Sequence, residues 1–473
     1  MVRPSRDQVL AALRTFDDER NQGQWPSWEQ DASETRAIEH RGNHYPASRI
    51  LAMASPAANG AVGAENVEQL LAALGFDLVS LAKLRPPAGA SGAAGFDLGA
   101  AIHRLTGAIA RRGFVFEPWQ VAAFVTAVRT KPFVILAGVS GTGKSRLPAL
   151  VAQATGCSAT VIPVRPDWTD SSDVLGYVDL QGGFRPGPLL VCADRATHET
   201  DRFHLCVIDE MNLARVEHYL AEVLSRIEGR VRLPDGRFES APLLGLALGD
   251  ADAKWRDVAL PWNLALVGTV NMDESAHGFS RKVLDRAFTL EFSDVDLRVL
   301  SEVAASPEAA WPAWAWRADG APLAQRTGAE RDTVAHVIEL LVAINAVLAE
   351  AQLQVGYRTR DEVALFVLNA TAAAASFTTR GGSAVDPLDL ALLMKVLPRV
   401  AGGSAAVRRV VRGLLGLAVG DALERDGQAD DLVRAWRTAG RPAATGKAFP
   451  RTAARLCLMW DRLDAEGVTS FWL

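Results

Sequence analysis

One short segment constrains the fold of this chain more than any other. The apolar run at residues 133–137 is followed at once by Gly138-Val139-Ser140-Gly141-Thr142-Gly143-Lys144-Ser145, and then by a helical pattern over residues 146–154. Short apolar runs of this kind are typical of buried parallel strands. The octapeptide fits G-x-x-x-x-G-K-[ST], in which glycines let the backbone wrap around phosphate groups and the helix N-terminus attracts their negative charge. Strand, loop and helix together predict an α/β domain that binds a nucleoside triphosphate.

The loop residues (138–145, called the phosphate loop below) have distinct predicted roles. The residues expected to bind the cofactor are Gly138, Ser140, Gly141, Thr142, Gly143, Lys144 and Ser145. We expect Lys144 to reach the β- and γ-phosphates and the Ser145 hydroxyl to bind Mg²⁺. The predicted cofactors are therefore ATP or GTP together with Mg²⁺.

Two further apolar runs, residues 203–208 and 264–270, alternate with helical stretches and predict a parallel sheet between helices. The first run ends in Asp209 and Glu210, and the second ends in Asn271. We expect Asp209 to hold Mg²⁺ and Glu210 to polarise the attacking water as a general base. Asn271 is expected to orient that water. Two carboxylates at a strand end indicate hydrolysis rather than binding alone.

Two arginines follow on a predicted helix at residues 279–287. An arginine supplied across a subunit interface can stabilise charge on the transferred phosphoryl group, and Arg286 is the first candidate for this role. Arg281 is the second. The alternative interpretation of Arg286 is an ion pair within the chain, with Asp285 or Glu291.

A chain of 473 residues is too long for one compact core, so several domains are expected. The predicted divisions are a small N-terminal recognition or head domain (1–85, mixed α/β or α), a linker (86–115), a large α/β nucleotide-binding domain (116–295) and a C-terminal helical lid (296–473). The linker is predicted because residues 86–92 are rich in proline, glycine and alanine.

Composition excludes some classes of function. The formal net charge of −5 provides no overall positive field for nucleic acid, so any such contact must be local. The four scattered cysteines are expected to be buried thiols in a reducing compartment. Neither a signal peptide nor an apolar run long enough to span a membrane is evident, which predicts a cytoplasmic protein. The chain contains no H-N-H cluster and no paired acid with E-x-K, so nucleic-acid cleavage would belong to a partner.

The series of motifs resembles an AAA+ module, and several segments are similar to the McrB branch, the motor subunits of modification-dependent restriction systems. The resembling segments are Lys131-Pro132-Phe133, Val164-Arg165-Pro166-Asp167-Trp168-Thr169-Asp170, Leu175-Gly176-Tyr177, Asp209-Glu210-Met211-Asn212, Gly268-Thr269-Val270-Asn271-Met272-Asp273-Glu274, Gly356-Tyr357-Arg358 and Lys395-Val396-Leu397-Pro398-Arg399. The similarity extends from about residue 115 to Ser470-Phe471-Trp472.

This resemblance implies a ring, commonly a hexamer, with nucleotide between subunits, that acts on DNA with a separately encoded nuclease. It implies that Asn271 is the first sensor, Arg286 the arginine finger, and Arg358 the second sensor, with Arg360 as its rival. One departure bears on the nucleotide. McrB-type GTPases carry Met-Asn-x-x-Asp at the first sensor, whereas residues 270–274 here read Val-Asn-Met-Asp-Glu, so ATP is favoured over GTP.

Two predicted hairpins, residues 177–186 and 230–239, correspond to loops that face the central pore in similar motors. Their arginines, which would form a positive ring able to grip a phosphate backbone, are Arg185, Arg230, Arg232 and Arg237. The alternative is that these arginines are simply solvated.

Other classes of function stay open. A second hypothesis is a MoxR-like chaperone that remodels a protein client, and a third is a nucleotide-controlled scaffold whose N-terminal module recognises a target. Trp25, Trp28 and Tyr45 of the N-terminal region are interpreted either as a stacking pocket for a base or as core residues.

Overall fold

The computed structural model describes residues 4–21, 36–40, 43–54, 64–80, 96–233, 237–245, 248–272, 277–293, 310–317 and 320–472. The chain divides into two compact units, residues 1–91 and 92–473. The domain boundaries predicted at residues 85 and 295 both fall outside the described residues.

The N-terminal unit is mixed α and β. Its elements are the helix Arg6–Asn21, strands β1 (Arg36–His40) and β2 (Asn43–Pro46), the helices Ala47–Ala54 and Ala64–Ala73, and strand β3 (Asp77–Ser80). The strands form an antiparallel sheet in the order β2-β1-β3. Strand β1 was not expected from the sequence, because Ile38 is its one large apolar residue.

The core of this unit includes one of the three aromatic residues considered for base stacking. Tyr45 is buried, its ring lies edge-on to Phe16, and its hydroxyl donates a hydrogen bond of 2.9 Å to Asp17. For Tyr45 the core interpretation is therefore correct. Trp25 and Trp28 lie outside the described residues.

The predicted linker is wrong in its second half. Residues Leu98–Arg111 form a helix whose N-cap, Asp97, accepts a hydrogen bond from the Ala100 N–H. Its buried positions, Leu98, Ala101, Ile102, Leu105, Ala108 and Ile109, recur at the three- and four-residue spacing of an apolar helical face. This face packs into the main core of the larger unit. The proline- and glycine-rich composition of residues 86–92 does not extend to this helix.

The larger unit is built on a five-stranded sheet. Its strands are β4 (Phe133–Gly138), β5 (Ser158–Pro163), β8 (His204–Asp209), β11 (Leu264–Asn271) and β12 (Phe288–Glu291). They are all parallel, in the order β12-β4-β11-β8-β5. The predicted parallel sheet is confirmed. Strands β5 and β12 escaped prediction because β5 is a half-exposed edge strand and β12 has only four residues.

Helices cover both faces of the sheet. They are Pro118–Thr130, Arg146–Thr155, Ser172–Leu175, Pro188–His198, Val216–Tyr219, Ala221–Glu228 and Arg281–Leu284. Alternate residues of β4 enter two separate cores, since Val134 and Leu136 pack with Phe124 on one face while Phe133 and Ile135 pack on the other. A strand buried on both faces explains the continuous apolar run.

The C-terminal part is helical, as predicted. Its helices are Gly328–Leu348, Tyr357–Ala370, Pro387–Lys395, Ala405–Val419, Asp426–Thr438 and Pro450–Glu466. Short 3-10 helices lie at Met211–Leu213, Asp250–Trp255, Ala313–Trp316, Leu323–Gln325, Ala349–Ala351, Thr371–Ser376 and Leu397–Arg399. Two short strands, β13 (Ala401–Gly402) and β14 (Thr469–Ser470), pair within this helical region.

Among the described residues, one helical segment, Gly328–Ala351, is long and apolar enough to cross a membrane by length and composition. Its buried residues are Val334, Val337, Leu341, Ile344 and Leu348. This stripe repeats at helical spacing and belongs to the main core of the unit.

The cysteines follow the expectation of buried thiols. Cys192, Cys206 and Cys457 are buried and Cys157 is half-buried, and all four are free. Burial raises the pKa of the Cys157 and Cys457 thiols to about 12. Within the described part of the chain, no group of three or more His, Cys, Asp or Glu side chains could hold a metal ion.

Candidate nucleotide site

Three neighbouring strands bring the predicted site residues together at one edge of the sheet. Strand β11 lies between β4 and β8, with Asn271 opposite Gly138 and Gly268 opposite Ile208. Because the strands are parallel, the phosphate loop, Asp209 and Asn271 all emerge at their carboxyl ends. This is the edge at which open α/β sheets bind ligands.

The glycines of the phosphate loop are required by backbone geometry. Gly138 has a φ of +151°, and a Cβ there would overlap the Phe292 carbonyl. Gly141 and Gly143 have φ values of +81° and +88°, which L side chains rarely adopt. A Cβ on Gly143 would also come within 3.2 Å of the Phe116 ring. The loop is thus shaped by backbone conformations that only glycine adopts easily.

Lys144 is buried beneath this loop, with 4% of its surface exposed. Its ammonium donates hydrogen bonds to the carbonyls of Gly138 (2.9 Å) and Val139 (2.5 Å). The Thr142 hydroxyl also bonds to the Val139 carbonyl, at 3.0 Å. These contacts place a positive charge at the mouth of a glycine-rich loop, an arrangement suited to binding phosphate.

Two oxygen ligands predicted for Mg²⁺ lie side by side. The Ser145 hydroxyl donates a hydrogen bond of 2.6 Å to Asp209 Oδ1, although 64 residues separate them. The Thr269 hydroxyl donates to the same oxygen, also at 2.6 Å. A carboxylate and a hydroxyl are the hard oxygen ligands that Mg²⁺ prefers, and the ion usually keeps several waters as well. The pair therefore fits a magnesium ion bound mainly through nucleotide and water.

Glu210 has an unusual backbone conformation, φ +54° and ψ +47°. A non-glycine residue in this left-handed region costs on the order of 1–3 kcal/mol and is typically found at functional sites. Its amide donates 2.9 Å to the Thr269 hydroxyl, which fixes the main chain, and Asn271 Nδ2 approaches its Oε1 at 3.4 Å. Glu210 and Asn271 are thus together, as predicted. The structural role of Thr269 was missed, since a threonine inside an apolar strand gives little signal.

Close packing between β11 and Met211 supports the left-handed backbone conformation of Glu210. Gly268 on β11 faces Met211, and a Cβ at position 268 would overlap the Met211 sulfur. Met211 is fully buried and follows Glu210 directly. Any side chain at position 268 must displace Met211 and, through it, the catalytic candidate.

We therefore expect Gly268→Ala to lower the free energy of unfolding by about 1–3 kcal/mol, the usual cost of overpacking a core. Turnover is also expected to fall, because Glu210 is moved. Thermal unfolding and NTP hydrolysis measure the two effects. Gly245→Ala is the matched control, since a Cβ there meets nothing within 4 Å. Equal stability and turnover in both variants would show that Met211 does not support Glu210.

The predicted arginines form a separate cluster. Arg286 and Arg358 both pair with the carboxylate of Glu228, and Arg286 also donates 2.6 Å to the Lys282 carbonyl. Burial, with a contribution from neighbouring Arg358, lowers the pKa of Arg286. The bond to Glu228 was missed, because these residues are 58 and 130 positions apart.

The alternative prediction, that Arg286 pairs with Asp285 or Glu291, is wrong. Asp285 pairs with Arg399 at 3.4 Å, and Glu291 pairs with Arg455 at 2.8 Å. Arg286 is nevertheless paired within the chain, through Glu228.

The arginine cluster and the phosphate loop lie at opposite ends of the parallel strands. Phe288 of β12 is opposite Val134 of β4, so Arg286, two residues earlier, is near the start of these parallel strands. The phosphate loop begins after Gly138 at their end. With a rise of about 3.3 Å per residue, the two positions are roughly 20 Å apart along the strands. The structure does not bring Arg286 or Arg358 into the site of their own chain.

The remaining candidates have other contacts. Arg281 donates 3.1 Å to the backbone carbonyl of Gln352, which links its short helix to the helical region. Arg360, the rival of Arg358, pairs with Asp361 and lies over the Tyr357 ring.

Both predicted hairpins are present as antiparallel pairs, β6 (Gly176–Val178) with β7 (Phe184–Pro186) and β9 (Val231–Arg232) with β10 (Phe238–Glu239). The turn predicted at residues 234–236 lies outside the described residues.

The positive ring predicted from these hairpins is wrong for two of its four arginines. Arg230 donates 2.8 Å to the Pro261 carbonyl, and burial lowers its pKa to about 10. Arg237 is 5% exposed. Arg185 and Arg232 are exposed, and Arg185 pairs with Asp179 at 3.0 Å. Arginines in a short hairpin were assumed to face solvent, whereas packing against the domain buries Arg237 and leaves Arg230 half-buried.

The first hairpin instead exposes apolar side chains. Tyr177 and Val178 are about half exposed, and Leu180 at the turn is completely exposed. Exposed apolar residues at a loop tip are typical of contacts with another protein surface.

Comparisons with known proteins agree with this geometry. Residues 133–288 match the family model described as AAA domain (dynein-related subfamily), and residues 317–468 match a domain of unknown function (DUF8727). No curated protein matches the chain significantly. The chain is also similar to the crystal structure of a presumed ATPase from Cytophaga hutchinsonii, with 13% identity over 63% of this chain and 86% of the other, and a TM-score of 0.38. A similarity this low adds nothing on function.

Proposed function

We propose that this chain, whose residues 133–288 match an AAA domain, is an AAA+ ATPase and one subunit of a ring in which neighbours complete each other's nucleotide sites. The observation that carries this proposal is the position of Arg286 and Arg358. Both arginines lie near the amino ends of the parallel strands, whereas the phosphate loop of the same chain lies at their carboxyl ends. Either arginine can therefore reach a triphosphate only when it is supplied by another copy of the chain.

The chemistry at the strand tips follows from the residues there. Lys144 binds the β- and γ-phosphates, and the loop amides hold them in line for attack. Ser145 and Asp209 would hold Mg²⁺, which would supply positive charge beside the phosphates. Glu210 accepts a proton from the attacking water, while Asn271 orients that water beside the carboxylate. Arg286 of the neighbouring subunit stabilises the charge that develops on the transferred group.

The biological role we favour is a motor of a restriction or anti-phage defence system. It would act on DNA with a separately encoded nuclease subunit, as a hexameric cytoplasmic ring that uses ATP. Support for this role comes from the McrB-like segments, among them Arg165-Pro166-Asp167-Trp168 and Gly356-Tyr357-Arg358. Arg185 and Arg232 are exposed, and a phosphate backbone would have to compete with Asp179 for Arg185.

A second candidate function is supported by a specific observation. A MoxR-like chaperone that remodels a protein client would use apolar side chains where a DNA motor uses cations. The exposed Tyr177, Val178 and Leu180 of the first hairpin suit a protein client. A nucleotide-controlled scaffold is the third possibility, and it is distinguished by a phenotype that survives the loss of hydrolysis.

Two measurements test these proposals. For the ring, turnover per subunit is expected to rise steeply with protein concentration and then level off, as sites are completed by assembly. A constant turnover per subunit from a monomer would contradict the shared site.

For the role, duplex DNA is expected to stimulate hydrolysis, and Arg185→Ala with Arg232→Ala is expected to reduce that stimulation and its salt dependence. The matched variant Leu180→Ser should leave the DNA effect intact. Stimulation by an unfolded protein instead of DNA, lost in Leu180→Ser, would favour the chaperone.

A further inference from the structure

The short turn that carries Arg286 is held by a buried lysine from the helical region. Lys395 Nζ donates hydrogen bonds to the carbonyls of Ala287 (2.8 Å), Asp285 (3.2 Å) and Leu284 (3.4 Å). Its side chain is fully buried. Two of these carbonyls belong to the residues on either side of Arg286. The Lys395 ammonium thus fixes the backbone on both sides of Arg286.

The lysine is itself fixed by a buried carboxylate. Glu362 pairs with Lys395 at 2.6 Å and with Lys131 at 2.5 Å, and only 8% of its side chain is exposed. Burial alone would raise the pKa of Glu362, but the two ammonium groups outweigh it and the pKa lies below its ordinary value. Glu362 is therefore a charged anchor. Removing one partner of such a buried group is costly, because the other is left uncompensated.

The same helix carries the second arginine of the cluster. Arg358 and Glu362 are four residues apart on the helix Tyr357–Ala370, so they share one face. A second brace comes from Arg399, which pairs with Asp285 at 3.4 Å. Lys395 and Arg399 are the first and last residues of the segment Lys395-Val396-Leu397-Pro398-Arg399. The helical region therefore holds the Arg286 turn from two sides.

We propose that Lys395, anchored by Glu362, is a positioning residue that presents Arg286 to the nucleotide of the neighbouring subunit. This inference rests on the proposed function, since it requires Arg286 to act across an interface. A subunit that lacks Lys395 keeps its own phosphate loop, Asp209 and Glu210. Such a subunit binds nucleotide normally, but it does not place Arg286 correctly in the nucleotide site of the neighbouring subunit.

The first expected result concerns kinetic constants. Lys395→Met should lower kcat by about 10²-fold, the scale of a small misplacement of a catalytic group, with little change in KM for ATP. Lys395→Arg should lose less, because a guanidinium can donate to the same carbonyls. Lys131→Met is the matched control: it breaks an ion pair to Glu362 but removes no bond to the Arg286 turn. An equal loss of kcat in Lys131→Met would contradict the proposal.

The decisive readout is complementation between variants mixed before assembly. Lys395→Met mixed with Lys144→Ala should recover turnover above either parent, because the Lys144→Ala subunit still donates an intact Arg286. Lys395→Met mixed with Arg286→Ala should recover none, because both subunits fail as donors. A residue with a merely structural role would not separate the two mixtures.

The outcomes distinguish this inference from the proposed function. If Lys144→Ala with Arg286→Ala recovers turnover but Lys144→Ala with Lys395→Met does not, the ring proposal stands and the role of Lys395 is wrong. If no mixture recovers turnover, the shared site itself is wrong. Should Lys395→Met fail to bind ATP, Lys395→Arg and Glu362→Gln are judged in the same mixtures, with the same expected pattern.

Discussion

Replacing Glu210 by glutamine is expected to lower ATP hydrolysis by about 10²–10⁴-fold while nucleotide still binds. Glutamine keeps the shape of the side chain and can still contact Asn271, but it cannot accept a proton from water. The left-handed backbone at position 210 is held by the Thr269 hydroxyl and by buried Met211, neither of which is changed. The protein should therefore fold normally and retain nucleotide.

Single-turnover hydrolysis and equilibrium nucleotide binding measure the two properties separately. Glu222→Gln is the matched control, because this exposed carboxylate lies on the helix Ala221–Glu228, away from the strand tips. A Glu210→Gln protein that hydrolyses ATP at the rate of the control would show that another group activates the water. An unaltered cellular phenotype without hydrolysis would favour the scaffold.

Replacing Arg286 by alanine is expected to lower turnover by about 10³–10⁵-fold, the range associated with an arginine that stabilises phosphoryl transfer. Nucleotide binding should persist, because the phosphate loop lies at the other edge of the sheet. Glu228 is half-exposed and keeps its ion pair with Arg358 in this variant, so the loss of Arg286 leaves no buried carboxylate uncompensated. The defect is therefore expected in catalysis and not in folding.

Lys282→Ala is the control for this variant, since it removes an exposed cation from the same short helix. It should keep normal turnover. The comparison is made at a protein concentration where the unmodified chain has reached its plateau. A loss of nucleotide affinity in Arg286→Ala, with kcat preserved, would place the arginine outside the reaction.

The strand-tip site was predictable because its residues are positioned by local rules. Apolar runs mark buried strands, parallel strands end at one edge, and the polar residues that follow them must meet there. Ser145 and Asp209 needed no knowledge of tertiary packing beyond this rule, although 64 residues separate them.

Contacts that depend on how helices pack were beyond prediction. Arg286 and Glu228 are 58 positions apart in the sequence. Lys395 is more than 100 positions from the carbonyls of the Arg286 turn to which it donates. Neither follows a periodic pattern. The prediction that Arg230 and Arg237 face the pore failed for the same reason, since hairpin geometry does not reveal which face packs on the domain.

The prediction of a linker at the helix Leu98–Arg111 failed for a different reason, because the sequence does carry a helix signal there. Asp97 is a good N-cap and the apolar face repeats at helical spacing, but the neighbouring proline- and glycine-rich segment dominated the interpretation. Composition is a weaker guide than periodicity at such a boundary.

The most direct test of a nucleotide site shared between subunits is the turnover of an equal mixture of Lys144→Ala and Arg286→Ala proteins. Each variant alone should be inactive, one because it cannot hold the phosphates and the other because it cannot supply the arginine. In the mixture, an Arg286→Ala site beside a Lys144→Ala neighbour has every group it needs. We expect turnover clearly above that of both parents. A mixture as inactive as its components, when both proteins assemble together, would contradict the account.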